Sequence, residues 1–233
     1  MRTKVKTPTA KIRNQNGFTL IEILVAMFLM VMGSMVLLSG SASSDEQMEK
    51  TLSNIERSIR FGADEAALRN VVVRLHFKLN LDPQEFAVEY GPNAQYIPPP
   101  IPQENTSELS GSELEEYKKT QEQNTKKFNR IRELREESFQ VFFPLKVVGV
   151  GLEQGESLIY DGEASIYIYP SAEKDPAIII LADDIQIKTL TIEPYTMEFQ
   201  QTTYPLVNGP EWEQVLKQAQ DIFEKWKTDE QQE

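Results

Sequence analysis

Asn16-Gly17-Phe18-Thr19-Leu20-Ile21-Glu22 opens an apolar run that continues almost unbroken to Ser39, and the rest of the chain is read outward from it. Phe18 to Ser39 makes 22 residues, about 33 Å of helix at roughly 1.5 Å per residue, enough to cross a hydrocarbon core of about 30 Å. Residues 18–39 are therefore expected to form a transmembrane helix. Glu22 is its one ionisable side chain. A carboxylate in such a helix costs roughly 2.5–3.5 kcal/mol at the centre and less near an end, so it calls for a partner. Glu22 stands about one turn from Phe18. The nearest cation available within the run is the amine created by cutting the chain after Gly17.

The string Gly17-Phe18-Thr19-Leu20-Ile21-Glu22, behind a short basic leader and ahead of an apolar helix, closely resembles the type III signal peptide of type IV pilins and type II secretion pseudopilins. The resemblance implies that a prepilin peptidase cuts after Gly17 and methylates the new N-terminus, Phe18. It also implies that Glu22 neutralises the N-terminal amine of a neighbouring subunit as helices pack into a filament. The plain alternative is a signal-anchor helix with Glu22 at the headgroup level and Gly17 incidental. A cleaved secretory signal fits less well, because the run exceeds the 7–15 apolar residues of such signals.

Composition agrees with an envelope protein. The leader, residues 1–17, carries Arg2, Lys4, Lys6, Lys11 and Arg13 and no acid, which sets the N-terminus inside and the C-terminal domain outside; the resemblance implies that these are the cytoplasm and periplasm on either side of a bacterial inner membrane. Removing those five charges from the formal −12 leaves −17 on the processed side chains. Nucleic-acid binding, which needs a basic stripe to displace counterions, is thereby disfavoured. With no cysteine, neither disulfides nor thiolate metal sites exist, and the core must hold unaided.

The expected fold class is α+β: a long N-terminal helix, its first half transmembrane, packed on an antiparallel β-sheet domain with a C-terminal amphipathic helix. Residues 40–69 should continue the helix into the periplasm, since Met48, Leu52, Ile55, Ile59, Ala63 and Ala66 recur three or four apart as one stripe. Gly33 and Gly40 could bend that helix or admit close packing. From Val71 the period changes to two. Val71, Val73, Leu75, Phe77 and Leu79 alternate with Val72, Arg74, His76 and Lys78, predicting a strand with one buried face, and Phe86, Val88 and Tyr90 follow the Asp82-Pro83 turn as its hairpin partner. His76, the chain's single histidine, is expected on the surface. The passage from Arg60 to Phe77 resembles the helix-to-first-strand passage of the H-type minor pseudopilins.

The β domain is expected to span 70–209, with a Pro-rich and charged insertion at about 91–138 that departs from the compact H-type pattern. Within the insertion, Pro98-Pro99-Pro100 favours polyproline II in a solvated loop or a proline-recognition ligand. Residues 112–137 read as an exposed helix capped at Ser110 or Ser112, or as a partly disordered stretch. Strands then recur at 139–143, 147–150, 157–160, 164–169, 177–181, 185–190 and 195–199, in two layers or in one sheet covered by the N-terminal helix. Residues 210–233 form the last helix and tail. Pro210 opens it, and Trp212, Val215, Leu216, Ala219, Ile222, Phe223 and Trp226 make one face, which docks on the domain's own sheet or, through Trp212 and Trp226, on a partner.

No Gly-rich phosphate loop and no Ser/His/Asp set is visible in the sequence, so enzyme activity is not expected, nor any cofactor. Asp175 and Asp183-Asp184 are the only hint of a calcium site, at a spacing that fits no ligand pattern. The resemblance implies a minor pseudopilin of a type II secretion system, with prepilin peptidase, other pilin or pseudopilin subunits and an inner-membrane assembly platform as partners. A minor type IV pilin shares every motif. An uncleaved, membrane-anchored periplasmic binding module is the reading from another class.

Overall fold

A computed structural model describes residues 20–99, 109–131, 139–207 and 209–230. Gly17, Phe18, Leu134 and the proline run beyond Pro99 lie outside the described residues, as do the side chains of 33–43. The chain divides into two units, Met1–Ser43 and Ser44–Glu233. In the first, the helix α1 (Leu20–Arg69) begins with a stretch in which the large apolar side chains from Leu20 to Met32 are each more than half exposed. The transmembrane helix expected over 18–39 falls partly outside the described residues, and no helix among those described is long and apolar enough to cross a membrane.

The second unit is built on the remainder of α1. Met48, Leu52, Ile55, Ile59, Ala63 and Ala66 are all buried, so the 3.6-residue stripe is a core seam. The helix stops because Asn70 turns into the left-handed region at φ 53°, a conformation that asparagine tolerates, while the Val71 N–H returns to the Ala66 carbonyl at 3.3 Å. The chain then enters β1 (Val73–Lys78), which pairs antiparallel with β2 (Gln84–Tyr90), placing Phe77 opposite Phe86 and Leu75 opposite Val88.

Two antiparallel sheets follow. The first has the order β3-β2-β1-β6, from β3 (Asn129–Arg130) to β6 (Glu163–Ile168), with β4 (Phe139–Val141) also on β2. The second has the order β5-β7-β8-β9, from β5 (Lys146–Leu152) through β7 (Ala177–Ala182) and β8 (Gln186–Ile192) to β9 (Phe199–Pro205). Inward residues of both sheets join the α1 stripe in one cluster, among them Leu75, Phe77, Ile166, Ile179, Leu181 and Leu190. The two open possibilities are therefore both realised: two layers, each meeting the helix.

The run Ile178-Ile179-Ile180-Leu181 is apolar on both faces because both are covered. Ile179 and Leu181 meet the α1 cluster, while Ile178 and Ile180 meet α3 (Trp212–Glu230) through Val215, Ala219 and Phe223. A register shift between Val147 and Gly149 on β5 inserts the extra residue of a bulge, which sends Val148 to the α3 side. Gly151 lets α3 approach: a Cβ there would stand 2.3 Å from Phe223 Cδ2. Lys188 on β8, nearly buried, meets Asp45 Oδ1 at 3.0 Å and Glu49 of α1, and those carboxylates outweigh burial to raise its pKa.

Two expectations need correction, and one open reading is resolved. The β1 strand is buried on both faces, Arg74 and His76 included, because Tyr96 and Phe128, which flank α2 (Gly111–Thr125) in the chain, pack on the side that looked polar, with Arg74 over the Phe128 ring. The strand expected at 195–199 instead begins at Phe199, and Tyr195 is exposed in the bend before it. Its true stretch, Phe199-Gln200-Gln201-Thr202-Thr203-Tyr204-Pro205, is a polar edge strand with no apolar alternation to betray it. Of the two readings of 112–137, the helix holds for Gly111–Thr125: Glu113 accepts the Ser110 N–H at 3.0 Å and the Ser110 hydroxyl, which lowers its pKa.

Candidate functional site

Two places hold the residues of interest: the start of α1, and the outer face of the first sheet. Glu22 lies in the first turn of α1 among Leu20, Ile21, Ile23 and Leu24, all exposed. Apart from Glu22, residues 20–32 present apolar side chains on every side of the helix, a pattern that in general is covered by lipid or by other helices. The cleavage pair Gly17 and Phe18 lies outside the described residues.

On the outer face of the first sheet, Arg74 donates from Nε to Glu89 Oε2 at 2.8 Å, with Nη2 2.6 Å from the same oxygen, and its guanidinium lies 4.1 Å from the centre of the Phe128 ring. Both side chains are buried, so each charge depends on the other. Beside them His76, 1% exposed, pairs across strands with Ser165, its Nδ1 lying 2.9 Å from the Ser165 hydroxyl. Glu163 Oε2 stands 3.5 Å from His76 Nε2. The imidazole beside it holds the Glu163 carboxyl below its ordinary range, against the opposing pull of partial burial.

The fold thus assembles a Ser, a His and a Glu that the sequence reading did not bring together. Glu163 and Ser165 are two apart on β6, but His76 comes from β1, 89 residues from Ser165. Only the register of β1 on β6 unites them. Both β6 residues line a cleft of about 520 Å³ with Pro98, Pro99, Tyr167 and Asp175. Chemically the trio can share protons. The described contacts place no pair of donors at a point of nucleophilic attack on Ser165, which acyl transfer would need. As built, it is a polar seam joining β1 to β6.

Of the acidic residues considered for calcium, Asp175 and Asp183 are otherwise engaged, and Asp184 is exposed. Asp175 accepts the Tyr167 N–H at 3.0 Å and the Tyr169 hydroxyl at 3.2 Å, and burial raises its pKa. Asp183 accepts the Ser44 hydroxyl at 2.8 Å and the N–H groups of Ile185 and Gln186, each at 2.9 Å. Among the described residues no group of three or more His, Asp or Glu is placed to hold a metal.

The tryptophan face divides in two. Trp226 packs on Phe223, ring centres 5.9 Å apart, within the cluster that docks α3 on the second sheet. Trp212 stays 37% exposed, with Lys146 Nζ 3.7 Å from its ring centre. No curated protein and no solved structure matches the chain. One family model does: residues 12–38, which contain Gly17, Phe18 and Glu22, match the prokaryotic N-terminal methylation motif. That prepilin-type signature, running into the helix that anchors the globular unit, supports a type IV pilin-like protein, processed by prepilin peptidase and assembled with other pilin subunits.

Proposed function

We propose that this chain is a minor pseudopilin of a type II secretion system, of the H type, and that it has no enzymatic role. The observation that carries the reading is the methylation motif over residues 12–38 leading directly into α1. Before assembly the apolar segment 18–39 is stored in the inner membrane, N-terminus in the cytoplasm and globular unit in the periplasm. After cleavage at Gly17, Glu22 pairs with the methylated Phe18 amine of a neighbouring subunit, and the apolar helix faces form the filament core. The passage from α1 through Asn70 into β1 and β2 supports the H-type assignment. Residues 91–138 and the terminal helix α3 add bulk that a single copy at a filament tip accommodates more readily than a repeating lattice. The partners are then prepilin peptidase, other pseudopilins and the inner-membrane assembly platform.

Glu22→Ala tests the mechanism. The variant should be cut at the wild-type site yet be recovered with sheared filaments at less than about a tenth of the wild-type amount, because an uncompensated amine in the helix bundle costs several kcal/mol. Incorporation at the wild-type level would remove the carboxylate from the mechanism. Loss of the chain should halt extracellular release of secreted proteins in its own cells; unaffected secretion with lost adhesion, motility or DNA uptake would assign it to a pilus.

A further inference from the structure

One end of the second sheet exposes apolar side chains that its own core does not use. The order β5-β7-β8-β9 brings the start of β5, the end of β7, the start of β8 and the end of β9 to that end. There Phe143, Ile185 and Val207 are 87%, 63% and 74% exposed, and Trp212 lies beneath Lys146. The positions are tied together: the Leu206 N–H donates to the Ile185 carbonyl at 3.3 Å, the Leu145 N–H to the Phe142 carbonyl at 3.0 Å, and Lys146 pairs with Ala182 at the end of β7. Neighbouring residues Leu145 and Ile187 already fill the interior. Single exposed apolar side chains are ordinary; four at one end of one sheet are not.

The chain itself enters the globular unit at this end. Ser44 donates to Asp183 at 2.8 Å in the β7–β8 turn, and Gln186 donates to Asp45 at 3.0 Å. With residues 18–39 as the membrane span, only residues 40–43 intervene, at most about 14 Å even fully extended. The headgroup layer is itself about 5–8 Å thick on each side. Whatever the orientation, that end of the sheet stays within reach of the lipid surface. A tryptophan under a lysine, among phenylalanine and branched aliphatic side chains, is the composition of an interfacial anchor, with the rings at headgroup level and the ammonium in the phosphate layer. Exposed Asp184, Glu211 and Glu213 adjoin Ile185 and Trp212 in the chain, which disfavours an anionic surface and suits the outward ammonium of zwitterionic headgroups.

We propose that the Phe143–Ile185–Val207–Trp212 end of the second sheet is a lipid-contacting surface that seats the globular unit on the zwitterionic face of the membrane while the chain awaits assembly. The inference rests on residues 18–39 spanning that membrane. The chain has two tryptophans, so Trp226→Phe leaves Trp212 as its single indole. The full chain carrying this change, checked for unaltered circular dichroism, is placed one copy per phosphatidylcholine nanodisc containing lipids brominated near the headgroup. Trp212 fluorescence should fall at least twofold, and Phe143→Ser with Val207→Ser should remove more than half of that quenching, as should discs of phosphatidylglycerol. Unquenched Trp212, beside a quenched Phe28→Trp in the Trp212→Phe/Trp226→Phe background, would overturn the inference and leave the span standing. If neither position is quenched, the span fails and the inference with it. Protection of Trp212 only when many copies crowd one disc would assign the end to a second copy of the chain, against the lipid.

Discussion

Arg74→Met is expected to destabilise the globular unit by about 3–5 kcal/mol, because it leaves the Glu89 carboxylate buried without its cation. Methionine preserves most of the arginine stem against Phe128, so the loss is electrostatic rather than steric. The double variant Arg74→Met/Glu89→Met removes both charges and should recover to within about 1–2 kcal/mol of the parent or exceed it. Urea unfolding of the full chain in detergent, followed by near-ultraviolet circular dichroism, reads the midpoints. A double variant as unstable as the single one would mean that the pair contributes through shape and not through mutual charge compensation.

The second large effect is local. Phe223 is fully buried between Gly151 and Trp226, and Phe223→Ala should cost about 3–5 kcal/mol by the cavity it leaves. The α3 cluster with Val148, Ile178 and Ile180 is separate from the one containing α1, so the damage should stay on that side. Hydrogen exchange should accelerate across Trp212–Glu230 while amides of the Met48–Ala66 seam keep their protection. Equal acceleration in both would show that the two clusters unfold as one. Gly151→Ala should act in the same direction, since its Cβ would lie 2.3 Å from the Phe223 ring.

The α1 stripe was legible because Met48, Leu52, Ile55, Ile59, Ala63 and Ala66 obey a local period and need no knowledge of what covers them. The β1–β2 hairpin was legible for the same reason, down to the turn at Asp82-Pro83. What alternation could not reveal is burial of the second face. Arg74 and His76 read as solvated because a charge or imidazole is buried only with partners, and theirs come from β2, β6 and the Phe128 ring. The polar strand β9 was missed because an edge strand needs only one apolar neighbour, and its hydrogen bonds to β8 leave no mark on composition. The same distinction holds for function. Gly17, Phe18 and Glu22 could be singled out because the motif they belong to is a contiguous string within the matched residues 12–38; Ser165, His76 and Glu163 could not, since only strand register unites them. Nor did the helix face separate Trp226, which docks α3, from Trp212, which stays at the surface.

Mass spectrometry of the N-terminal peptide, from the chain's own cells with and without prepilin peptidase, tests the central claim most directly. The account predicts a peptide beginning at N-methylated Phe18 that disappears when the peptidase is absent. An intact leader beginning at Met1 in both strains would contradict it, leaving a tethered globular unit in which Glu22 has no assembly role.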